Sequence, residues 1–135
     1  MNTARRYLFK FAAAASLLMS MGAAWATQPI VEIITFSHPP VRSALKPLRD
    51  WLVTQGDKAR VVEVDMETPA GEKRAASVGV TGHVPILVLV NGRYAFTRKD
   101  GSPMVFKSFP AGPGAPGSKD AWTIEDVKAV VSAVR

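Results

Sequence analysis

Hydrophobic residues follow two different periods along the chain, and these predict alternating strands and helices. Residues 30–36 (IVEIITF) are apolar and β-branched, which predicts a strand buried on both faces. Residues 59–65 (ARVVEVD) and 86–90 (ILVLV) predict two further strands. Apolar residues recur at steps of three and four from Val41 to Leu52, as on one face of a helix. This order predicts a right-handed βαβ unit whose two strands are parallel.

Prolines and polar capping residues predict where the helices begin. Pro39 and Pro40 stop the first strand and can open the first helix, because proline is tolerated in a first helical turn. A second, short helix is predicted over residues 69–77. Thr123 is expected to cap the last helix, with Asp126 three residues on completing a capping box.

The second half of the chain predicts a hairpin. Asn91-Gly92 is a strong two-residue turn signal, so residues 94–97 are expected to return antiparallel to the third strand. Residues 104–109 predict a further strand, and residues 110–118 form a Gly/Pro-rich loop before the last helix. The expected fold class is therefore α/β, with a central mixed sheet of about four to five strands flanked by helices.

The N-terminus has the pattern of a secretory signal peptide. Two arginines and a lysine precede an apolar run at residues 11–22, and a small-x-small tripeptide stands at 24–26 (AWA). The apolar run is too short for a spanning helix, which needs roughly 20 residues. The paired arginines also fit a twin-arginine signal, so both export routes stay open. We expect a signal peptide at 1–26 and a periplasmic or secreted bacterial domain at 27–135, with no membrane span after cleavage.

Charge and cysteine content exclude two classes of function. The chain carries 17 basic and 11 acidic residues and a formal net charge of +6. The signal peptide holds three of the basic residues and no acid, so the mature charge falls to +3. The remaining basic residues are interleaved with acids, which argues against a nucleic-acid partner. The chain has no cysteine, so thiol–disulfide exchange is excluded.

Two segments of the chain carry a resemblance to a known family. Residues 31–42 (VEIITFSHPPVR) are similar, without a gap, to the strand and Cys-x-x-Cys motif of thioredoxins and periplasmic disulfide oxidoreductases, with His38 and Val41 in place of the cysteines. Residues 78–86 (VGVTGHVPI) resemble the family's cis-proline loop, with one extra residue before the proline. The resemblance implies a redox-inactive member of the thioredoxin-like fold superfamily, a cis bond before Pro85, and contact between the two segments.

In this family a polypeptide can pair with the backbone of the proline loop, a form of strand addition that needs no cysteine. The resemblance therefore implies a non-catalytic protein, without a cofactor, that binds an unidentified protein or peptide. A groove retained from an ancestor without a present ligand is the alternative. The residues expected to line the groove are Phe36, His38, Pro39, Pro40, Val41, Thr81, His83, Val84 and Pro85.

The two histidines suggest a second hypothesis for the function. His38 and His83 are the only two in the chain, and imidazole binds copper well, so periplasmic copper handling with help from a methionine such as Met104 is an alternative function. A site needs three or four ligands, and the sequence suggests no acid beside these histidines, so we assign no metal site.

Ser37 and His38 suggest a nucleophile and a base. Adjacent residues at a strand end point to opposite sides, however, so we expect no enzyme.

Overall fold

The computed structural model describes residues 27–112 and 120–135, which contain three α-helices and five strands. In chain order these are β1 (Ile30–Thr35), α1 (Pro39–Gln55), β2 (Arg60–Asp65), α2 (Pro69–Ser77), β3 (Ile86–Val90), β4 (Ala95–Thr97), β5 (Pro103–Val105) and α3 (Ile124–Ala133). The predicted signal peptide and most of the predicted Gly/Pro-rich loop lie outside the described residues. Within these ranges, none of the helices combines the length and the apolar character that a membrane crossing requires.

A mixed three-stranded sheet forms the centre of the fold, in the order β2-β1-β3. β1 runs parallel to β2, from the pair Ile30 and Arg60 to the pair Thr35 and Asp65, as the predicted βαβ unit requires. β3 is antiparallel to β1, and all five of its residues are buried. The prediction of an α/β fold with a mixed central sheet is therefore confirmed.

The predicted sheet of four to five strands is wrong, because β4 and β5 pair only with each other in a separate sheet. The turn at Asn91-Gly92 does form, with positive φ angles of 50° and 78° and a bridge between Val90 and Arg93. Beyond that bridge the chain leaves β3. The predicted pairing of residues 94–97 with β3 is consequently wrong.

The outer edge of β3 is taken by the segment that follows β5. The Val88 N–H donates to the Phe106 carbonyl at 2.9 Å, and the Ser108 N–H donates to the Ile86 carbonyl at 2.8 Å. Phe106 is fully buried and lies 5.6 Å from the Trp122 ring, which is buried as well. Burial of these two large aromatic side chains holds the segment against β3, and β4 is left to pair elsewhere.

Helix ends follow local sequence closely. α1 begins at Pro39 and buries the stripe predicted from its periodicity. The Thr68 hydroxyl caps α2 by accepting the Gly71 N–H at 3.1 Å. The predicted capping box of α3 is present in full, with Thr123 and Asp126 each accepting the other's backbone N–H. The side chains that α1 buries are Val41, Leu45, Leu48 and Leu52.

Candidate functional site

Three connecting segments meet at one edge of the central sheet. β1 and β2 are parallel, so both end at this edge, and the antiparallel strand β3 begins there. The segments at residues 36–38, 66–68 and 79–85 are therefore neighbours, and we call this place the carboxyl edge. In open α/β sheets, ligands bind preferentially beyond the carboxyl ends of the strands.

Phe36 joins the first and third of these segments. Its N–H donates to the Pro85 carbonyl at 3.1 Å. Its ring centroid lies 5.5 Å from that of His38, in a stacked arrangement, and 4.5 Å from that of His83. Phe36 is buried, whereas both histidines are exposed. The expected contact between the two segments is confirmed, with Phe36 as the residue that mediates it.

The loop that leads into β3 differs from the expectation. The described residues contain no cis peptide bond, so the bond before Pro85 is trans and the predicted cis bond is wrong. Two glycines with positive φ, Gly79 at 83° and Gly82 at 85°, turn the chain instead. The Val84 N–H closes a tight turn by donating to the Gly82 carbonyl at 3.1 Å. These turns and the extra residue before the proline bring the chain into β3 through a trans bond.

Two acidic residues at the carboxyl edge were missed by the sequence reasoning. Glu67 Oε2 lies 3.3 Å from His38 Nε2, so the expectation of no acid beside the histidines is wrong. Asp65 accepts the Glu67 N–H at 2.9 Å and the Ser37 hydroxyl at 3.2 Å. The sequence did contain a signal for these acids. Both stand at the end of a predicted strand parallel to β1, and the carboxyl ends of parallel strands lie at the same end of a sheet.

Phe36 lines two open grooves. One, of about 670 Å³, runs along α1 and β2, and we call it the α1 groove. The other, of about 580 Å³, lies beside α2 and the loop before β3, and we call it the α2 groove. The charged side chains of the α1 groove are Arg42, Lys46, Arg49, Asp50, Glu63 and Asp65. The polar and aromatic side chains of the α2 groove are Phe36, Glu67, Glu72, Thr81 and His83.

The two grooves differ in charge. In the α1 groove basic and acidic residues are equal in number, and ion pairs join several of them, such as Arg49 to Glu63 through two hydrogen bonds of 2.8 and 3.0 Å. The α2 groove holds two carboxylates and no lysine or arginine. Among the described residues, Glu72 makes no side-chain hydrogen bond or ion pair. The α2 groove is therefore the acidic one.

Two backbone N–H groups at the rim of the α2 groove, which is formed by residues 81–83, have no hydrogen-bond acceptor among the described residues. Within residues 27–112 and 120–135, the N–H groups of Thr81 and His83 donate to no acceptor in the protein. Both residues are exposed. An extended chain laid along this rim can accept their hydrogen bonds.

The other predicted site residues take three different positions. Pro39 and Pro40 are exposed at the start of α1, next to the stacked rings. Val84 and Pro85 are half-buried, and Val84 packs against the core. Val41 is only 2% exposed, because it is the first inward position of α1, and it lines neither groove.

Metal ligands do not converge in the part of the chain that the structure describes. No group of three or more histidine, cysteine, aspartate or glutamate side chains there could hold a metal ion. Met104 is buried in β5, opposite Phe96 of β4. The rings of His38 and His83 both contact Phe36, and the carboxylate of Glu67 pairs with His38.

The chain matches no protein-family model, no curated protein and no solved structure in the comparisons made. The thioredoxin resemblance therefore rests on the sequence segments that carry it.

Proposed function

We propose that this is an exported, non-catalytic protein of thioredoxin-like fold that binds an extended segment of another protein at the carboxyl edge of its sheet. The observation that carries the proposal is the free backbone rim at Thr81 and His83 beside a groove that Phe36 lines. These N–H groups can donate hydrogen bonds to the main chain of a bound segment, and the groove offers room for its side chains.

The core of the fold supports the family part of the proposal. A parallel pair β1 and β2, an antiparallel β3 and helices at the predicted positions agree with the thioredoxin-like order of elements. Two departures oppose it: the bond before Pro85, in the loop that pairs with Phe36, is trans, and β4 and β5 form a separate sheet. The family part of the proposal therefore depends on the central sheet and on the segment at residues 31–42, and not on the proline motif.

The chemistry of the site supports binding without catalysis. No thiol is present to attack a disulfide. The Ser37 hydroxyl donates to Asp65 and not to the adjacent His38, so the pair lacks the contact that a nucleophile and its base require. The signal-peptide pattern of the first 26 residues supports the export part of the proposal.

The test uses protein purified from the periplasm of a bacterial host and a phage-displayed library of random nonapeptides. We expect selection to enrich extended sequences that bind the wild-type protein. A Thr81→Trp variant should bind them at least about tenfold more weakly, a loss of about 1.4 kcal/mol, because the bulky ring covers the free rim.

Thr54→Trp is the matched control, since Thr54 is exposed near the end of α1 and lines neither groove. It should bind the selected peptides as the wild type does. Enrichment of no sequence, or equal weakening by both variants, would refute binding at this rim. Retention of the whole precursor in the cytoplasm would contradict the export part separately.

A further inference from the structure

We infer that the bound segment places a basic side chain, lysine or arginine, in the α2 groove, where Glu67 and Glu72 receive it. This inference rests on the proposed function and names the class of peptide that the site selects. The two grooves at Phe36 differ in charge: one holds equal numbers of basic and acidic side chains, and the other holds two carboxylates and no lysine or arginine.

The charge of the α2 groove is opposite to that of the domain around it. The mature chain is basic overall, with a formal net charge of +3 after the signal peptide is removed. Glu67 has His38 as its ion-pair partner, and that partner is charged only when it is protonated. Glu72 has no partner among the described residues. A cationic side chain in this groove therefore meets carboxylates that form no lysine or arginine pair among the described residues.

Aromatic rings complete the chemistry for a long basic side chain. Phe36 and His83 lie together in the lining of the groove, 4.5 Å apart at their centroids. Lysine and arginine have apolar stems that pack on such rings, and their charged groups are attracted to aromatic faces. A short acidic or neutral polar side chain would gain neither contact. Rings and carboxylates in one groove thus favour a basic side chain over other classes.

Stabilisation of α2 by Glu72 accounts for only one of the two carboxylates in the α2 groove. Glu72 lies in the first turn of α2, where a negative charge is favourable to the helix dipole. Glu67 precedes the helix cap and is half exposed, with its carboxylate turned to His38. The α1 groove cannot substitute as the acidic site, because its carboxylates already face arginine, lysine or Ser37.

Three pools of capped nonapeptides test the inference. The pools are identical mixtures of Ser, Thr, Val and Tyr except at the central position, which is lysine, norleucine or glutamate. We expect the lysine pool to bind the wild-type protein about tenfold more tightly than the norleucine pool, and the glutamate pool to bind most weakly. The lysine preference should fall as salt is raised.

A double variant, Glu67→Gln with Glu72→Gln, should reduce the lysine preference to less than about twofold and leave norleucine binding unchanged. Glu125→Gln is the control, because Glu125 is exposed on α3 and far along the chain from both grooves. Equal binding of all three pools would overturn the inference while the proposed function stands. Binding of none of them, together with failure of the phage selection, would overturn the proposed function itself.

Discussion

Replacing Gly71 with alanine is expected to destabilise the protein by about 3 kcal/mol, the upper range for overpacking. A Cβ atom at this position would lie 2.0 Å from the carbonyl oxygen of Asp65 and 2.9 Å from the Cα of Met66. Both are backbone atoms, so no flexible side chain can move aside. At a helix position with room for a Cβ atom, replacing glycine with alanine stabilises the protein by about 1 kcal/mol. At Gly71 the clash makes the substitution destabilising instead.

The carbonyl of Asp65 is held in place by other bonds. It accepts the Thr68 N–H at 3.2 Å and the Thr68 hydroxyl at 2.7 Å. Relief of the clash therefore requires α2 to move away from the end of β2, or the turn before α2 to open. Either change alters the α2 groove, because Glu67 and Glu72 stand on that turn and on that helix.

Urea unfolding and thermal melting measure the effect. A loss of about 3 kcal/mol lowers the melting temperature of a domain of this size by about 12 °C or more. Gly112→Ala is the matched control, since a Cβ there meets nothing within 4 Å and the residue is exposed. We expect it to change stability by less than about 0.5 kcal/mol. Similar stabilities for the two variants would show that α2 does not approach Asp65 as described.

Replacing Asp126 with asparagine is expected to cost about 2 to 3 kcal/mol at neutral pH. The carboxylate accepts two hydrogen bonds from Arg98, at 3.0 and 2.6 Å, and the N–H of Thr123 at 2.9 Å. Arg98 also donates to the carbonyls of Pro103 and Ala121. Asparagine keeps the shape but loses the charge, so a partly buried guanidinium is left without its counter-ion.

The pH dependence of this loss follows from the pKa of Asp126. Burial acts to raise that pKa, but hydrogen bonds from Arg98 and Thr123 outweigh burial and hold the pKa below its usual value. The ionised carboxylate therefore contributes its full stability above the unfolded pKa of about 4, and the contribution is lost as the pH falls through the folded pKa. The difference between the wild type and Asp126→Asn should shrink between about pH 6 and about pH 2.

Urea midpoints of both proteins across this pH range provide the measurement. Glu125→Gln serves as the control, because the Glu125 side chain is 77% exposed and pairs with Lys128 at the surface. That variant should lie within about 0.5 kcal/mol of the wild type at every pH. If the stability lost in Asp126→Asn does not diminish as the pH falls, the loss does not come from the ion pair between Asp126 and Arg98.

Local patterns predicted single elements well. The bounds of α2 and β3 agree with the predictions residue for residue, and α1 begins at the first of the paired prolines. Periodicity, proline and capping residues act over one or two turns, so they can be interpreted without knowing the rest of the fold. The Asn91-Gly92 turn also formed as predicted, because its two positive φ angles depend on those two residues alone.

Strand pairing and site composition were harder to predict. The turn at Asn91-Gly92 is compatible with a full hairpin, yet residues 106–108 occupy the edge of β3. That outcome depends on burying Phe106 against Trp122, which stand sixteen positions apart in the sequence. Glu67 was missed for a similar reason, since it meets His38 only after β1 and β2 pair in register.

The sequence by itself determined that thiol chemistry is excluded, which elements form and where most of them begin, and that an N-terminal segment has the pattern of a signal peptide. Absence of cysteine, hydrophobic period and capping are properties of residues close together along the chain. Only the tertiary structure decided that the Phe36 ring contacts the rings of both His38 and His83, and that one groove beside Phe36 is acidic. Those features arise where parallel strands bring distant segments to one edge, and only long-range packing sets that arrangement.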